Sequence, residues 1–92
     1  FTASGGTPIK PANSVLTMTG NITGLAGNGI TLRDSATGVG AITIDNVTGI
    51  ATGTGANSEG ILVENLNAAN AGDISITQLG GAVGGAFGID AT

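Results

Sequence analysis

Three glycine-isoleucine pairs, Gly29-Ile30, Gly60-Ile61 and Gly88-Ile89, recur at intervals of 31 and 28 residues. Ahead of each lies a similar alternating segment. Leu16-Thr-Met18-Thr-Gly-Asn-Ile22-Thr-Gly24 lines up with Ile42-Thr-Ile44-Asp-Asn-Val47-Thr-Gly49 and with Ile74-Ser-Ile76-Thr-Gln-Leu79-Gly-Gly81, the first carrying one extra residue before its Asn. A repeat this short cannot bury its apolar side alone, so it has to stack on its neighbours. Each unit reads as a strand, a tight turn, a second short strand, a glycine-rich spacer of variable length and a third strand.

Helix has little support, because apolar residues nowhere recur at i, i+3, i+4 and i+7 over a dozen positions free of glycine. Alternation typical of strands is clear over residues 15–19, 29–33, 41–45, 60–64 and 73–77, each rich in Ile, Val, Leu or Thr. These features predict an all-β chain, a short parallel β-helix (β-solenoid) of about three rungs, with equivalent strands stacked at about 4.8 Å. Ile42 and Ile74 then become vertical neighbours, Thr and Ser between the apolar residues face water, and glycines take the corners. A small antiparallel β-sandwich is the alternative. Aligned strand sequences favour the solenoid, as does the presence of only two aromatic residues, Phe1 and Phe87, since sandwich cores are usually aromatic-rich.

A compact chain of this size buries only roughly 60% of its unfolded surface. With no Cys and no His, neither a disulfide nor a Cys/His zinc site can reinforce it. Self-association is the remaining source of stability. Lys10 and Arg33 stand against Asp34, Asp45, Glu59, Glu64, Asp73 and Asp90, and this net charge of -4 argues against nucleic acid and anionic membrane surfaces. No apolar run approaches the ~18 residues that span a bilayer. The opening residues lack the pattern of a signal peptide, so a processed chain or a piece of a longer one is expected.

Catalytic chemistry is sparse. The carboxylates are not paired in sequence, and the first and third repeats carry Thr19 and Thr77 where the second has Asp45. With no His, Cys, Tyr or Trp, nucleophilic and general acid-base constellations have few members to draw on, and no enzyme activity is expected. "GGAFGID" is a single off-register approximation to a calcium-binding nonapeptide, and such sites need consecutive copies. "GLAGNG" lacks the Lys-Ser/Thr of a phosphate loop. Asn21-Ile-Thr and Asn46-Val-Thr match the glycosylation sequon, but their recurrence at one point of the repeat is accounted for by a structural corner. No cofactor and no metal are expected.

"GDISITQLGGAVGGAFGIDAT" (residues 72–92), with "GAITIDNVTG" and "SEGILVEN" as looser copies, resembles the repeats of bacterial autotransporter adhesin passengers. The resemblance covers about residues 15–92. It implies a right-handed parallel β-helix displayed on the cell surface and serving adhesion and aggregation. Those passengers are very long, so a chain with about three rungs and no barrel domain corresponds to a fragment or a short subunit built to a similar plan.

The expected organisation is an extended arm over residues 1–14, where Pro8 and Pro11 disfavour helix, followed by solenoid repeats over 15–92. The arm is expected to cross onto a neighbouring subunit. Assembly contacts are expected at Phe1, Ile9, Val15, Phe87 and Ile89. The function this implies is a structural subunit or segment of an extracellular bacterial surface fibre or adhesin, joined end to end by strand addition. Its partners would be further copies of itself, with host or cell-surface glycans as further candidates. A carbohydrate-binding or carbohydrate-processing β-helix module is the alternative.

Overall fold

The computed structural model describes residues 2–5, 14–34, 40–46 and 48–92. Among them no residue is helical. Ten strands follow in chain order: β1 (Thr2–Gly5), β2 (Ser14–Met18), β3 (Ile22–Gly24), β4 (Ile30–Asp34), β5 (Ile42–Asn46), β6 (Ala51–Gly53), β7 (Glu59–Glu64), β8 (Ile74–Gln78), β9 (Ala82–Val83) and β10 (Phe87–Ala91). They form three sheets, ordered β1-β4-β7-β10, β2-β5-β8 and β3-β6-β9. Every pairing among the described residues is parallel, which excludes the antiparallel sandwich. The chain visits the three sheets in rotation, producing the triplets β2-β3-β4, β5-β6-β7 and β8-β9-β10. β1 precedes them on the free edge of β4. The arrangement is all-β and solenoid-like, and no helix among the described residues is long and apolar enough to cross a membrane.

Alternation sets which side chains enter the core. Along β5, Ile42, Ile44 and Asn46 are buried while Thr43 and Asp45 face outward. Ile42 is level with Ile74, and Ile44 with Leu16 and Ile76. In the four-stranded sheet Ile30, Ile61 and Ile89 form one column, with Leu32, Val63 and Ala91 two residues further on. The core consists of Ile30, Leu32, Ile42, Ile44, Ala51, Ile61 and Val63, with Leu16, Met18, Ile22, Ile74, Ile76 and Ala82 packed around it. Each fully buried Ile or Leu contributes roughly 1.5–3 kcal/mol.

The repeated glycine before Ile30, Ile61 and Ile89 has a steric cause. A Cβ on Gly60 would lie 2.7 Å from the Gly88 oxygen and the Val83 nitrogen, and 2.9 Å from the Ala51 oxygen, all of them backbone atoms. Gly29 faces the same obstruction one triplet earlier, 2.7 Å from the Gly60 oxygen. At this corner two sheets meet backbone to backbone, and a methyl group has no room.

The register departs from the repeat alignment in the first triplet. Leu16 lies opposite Ile44, and Ser14 opposite Ile42, so Thr17 rather than Thr19 is level with Asp45. Ile22 is level with Ala51 and, through β6, with Ala82, whereas Leu79 sits in a turn and is 76% exposed. A slip of two residues keeps every side chain on its own face, so alternation cannot detect it. The arm's Thr2–Gly5 is laid parallel on β4 of its own chain, Ala3 level with Leu32.

Replacing Gly60 with Ala is expected to destabilise the fold by about 3 kcal/mol, the upper part of the overpacking range. Gly27→Ala, at a position where a Cβ meets nothing within 4 Å, should change stability by less than about 0.5 kcal/mol. Urea denaturation followed by circular dichroism measures both.

Candidate association surface

At the corners between sheets, side chains add to the backbone hydrogen bonds that already run from one triplet to the next, such as the Ile22 N–H to the Ile50 oxygen and the Gly29 N–H to the Glu59 oxygen. At the corner between the β2-β5-β8 and β3-β6-β9 sheets, buried Asn46 donates from Nδ2 to the Gly20 oxygen (3.3 Å) and accepts from the Thr48 N–H (3.3 Å). The Gly20 N–H donates to Thr48 Oγ1 at 3.0 Å, and the Ile50 N–H to Asn21 Oδ1 at 2.8 Å. Gln78, level with Asn46, donates to the Gly49 oxygen at 2.9 Å. At a second corner the Glu59 N–H donates to Asn28 Oδ1 (2.9 Å), while Thr54 Oγ1 donates to the Gly24 oxygen (2.9 Å) and accepts from the Ala26 N–H (2.9 Å). At the third, Asn70 donates to the Gly40 oxygen (3.0 Å) and accepts from the Gly40 N–H (3.2 Å). Each corner is thus stapled from one triplet to the next. Asn46 is fully buried, which removes its sequon from modification in the folded chain.

The outward faces hold little that could act chemically. Among the described residues no three His, Cys, Asp or Glu side chains gather into a group that could hold a metal ion. Asp45 stands between Thr17 and Thr77. Glu64 is engaged by the Arg33 guanidinium, both side chains being partly exposed.

The two ends differ more. In the column Ile30–Ile61–Ile89 the first two side chains are 0% exposed and the last is 47% exposed. Phe87 (59%) and Val83 (56%) join Ile89 on the third triplet. Strands β8, β9 and β10 each form the last strand of their sheet, so one face of the stack ends on three level parallel edges. At the opposite face, among the described residues, two sheets end on β2 and β3, and the third projects one strand further, to β1.

Of the residues expected to make assembly contacts, Phe87 and Ile89 fall together on β10 at this open end. Val15 belongs to β2, level with Thr43. Phe1 and Ile9 lie outside the described residues. The pairing of β1 escaped the sequence reading, because Thr2-Ala-Ser-Gly5 carries no apolar alternation. The stapling roles of Asn28, Thr54 and Asn70 escaped it too. Their only signal was position, each lying close to a glycine spacer.

Comparison with protein-family models, with curated proteins and with solved structures found no match.

Removing the side chain of the fully buried Asn46 takes a partner from the half-buried Gly20 oxygen and from the exposed Thr48 N–H, so Asn46→Ala is expected to destabilise by roughly 1–2 kcal/mol. Glu64→Gln, which neutralises a partly exposed ion pair, should cost less than about 1 kcal/mol. Thermal denaturation of both variants tests the ranking; equal losses would show that the corner staple adds nothing beyond a surface pair.

Proposed function

We propose that the chain is a short right-handed parallel β-helix of about three rungs, and that it works as a structural subunit or segment of an extracellular bacterial surface fibre or adhesin, self-associating end to end by strand addition. The observation that carries this reading is the change along one column of identical side chains. Ile30 and Ile61 are dry, and Ile89 stands 47% exposed at three level strand edges. Exposed parallel edges offer unpaired N–H and C=O groups to a further strand, and the apolar residues beside them gain burial when it arrives. The resemblance to adhesin passenger repeats points the same way, as does a surface with few charges to oppose close approach.

Sedimentation across a concentration series, with negative-stain microscopy of the same samples, is expected to show growth into threads. Ile89→Lys should abolish growth while leaving the β-sheet signal in place, because that side chain is already half exposed. Ile50→Lys, at a 43% exposed position between β5 and β6 in the middle triplet and so away from both ends of the stack, should leave growth unchanged. Single small particles of the unaltered chain at every concentration would overturn the reading.

A further inference from the structure

The two ends of the stack are not complementary as they stand. One finishes on β8, β9 and β10 together, and the other on β2 and β3 with β1 standing one strand proud. All pairings are parallel, so a second copy could set its β2, β3 and β4 upon β8, β9 and β10 in a single step of about 4.8 Å, but only if β4 has a free edge. β1 occupies that edge, from Thr2 opposite Thr31 to Gly5 opposite Asp34. Pairing on β1 instead would join one sheet and hold the other two apart by the width of a missing strand.

Resting on the end-to-end reading above, we propose that β1 is a removable cap, and that its occupant in the assembled state is β10 of a second copy, which displaces it from β4. The new pairing continues an interface the chain already contains. β4 on β7 and β7 on β10 share one register, Ile30 with Ile61 and Ile61 with Ile89. Extending it places Ile89 against Ile30 of the second copy and Gly88 against Gly29, prolonging the column in which no Cβ fits. β1 is the weaker contender. Its four residues, Thr2-Ala-Ser-Gly5, hold no large apolar residue, whereas β10, which also contains Gly and Ala, has five residues and carries Phe87 and Ile89. A competing internal strand scales the apparent affinity between copies down to the fraction of chains in which it is released. The cap therefore sets the concentration at which growth begins.

The chain has no cysteine, so one reversible lock tests this. Ser4 and Arg33 are register partners, and the double variant Ser4→Cys/Arg33→Cys is oxidised at low concentration, with bond formation confirmed by mass. Sedimentation is then run on the oxidised and reduced forms of the same preparation. The expected result is association of the reduced protein, loss of association in the oxidised one, and association at lower concentration for a chain lacking residues 1–5. Equal association of the oxidised and reduced forms would overturn the cap and leave end-to-end growth intact. Failure of the two cysteines to join would also overturn it, since β1 would then not rest on β4. If neither redox form nor the shortened chain associates at any concentration, end-to-end growth itself fails, and the open edges fall to residues of a different polypeptide.

Discussion

Each residue in this protein packs on its counterpart one triplet away, and the rest of the structure depends on that vertical contact. Parallel strands set side by side repeat the same environment at a fixed spacing, so a side chain that fits one level must fit all. Ile30 on Ile61 and Ile42 on Ile74 satisfy this with matched β-branched side chains. The same rule explains the glycine preceding Ile30, Ile61 and Ile89. Where two sheets meet at backbone distance, the obstruction recurs at every level, and so does the residue that avoids it.

Stacking also creates a polar problem. A straight strand pairs its backbone sideways with its neighbours, but at a corner the chain turns and only part of its backbone meets the next triplet directly, leaving other amides and oxygens in need of a partner. Asn46, Thr54 and Asn70 meet that need from the triplet above, while Asn21 and Asn28 meet it from the triplet below. An amide side chain carries both a donor and an acceptor, which is why Asn70 can hold the N–H and the oxygen of Gly40 together. The richness in Asn and Thr around the spacers is thus structural, and it leaves the outward faces with scattered hydroxyls and single carboxylates.

A stack of this kind has no natural end, because its last level offers the same surface that every inner level buries. The third triplet shows this directly in the exposure of Phe87 and Ile89. At the other end β1 covers β4, and Ile30 and Leu32 in β4 are almost entirely buried. The asymmetry between a covered edge and an open one gives the stack a direction, and the proposed end-to-end association would follow it.

Much of this was legible in the residues alone. The alternation of Ile42 and Ile44, and of Ile74 and Ile76, marks inward-facing positions, and the repeated Gly-Ile pairs mark strands that lie in register. Together they specified an all-β, parallel, stacked arrangement, because side-chain direction in a strand follows from a period of two and stacking demands like on like. What only the tertiary structure decided was the register of β2, the partner of Ile22, the corner partners of the Asn and Thr side chains, and the placement of β1. A two-residue slip keeps each side chain of β2 on its own face, so alternation alone does not choose between registers. The corner hydrogen bonds join residues about thirty positions apart, and Thr2-Ala-Ser-Gly5 has no pattern of its own. Its place on β4 follows from the free edge that the rest of the stack presents.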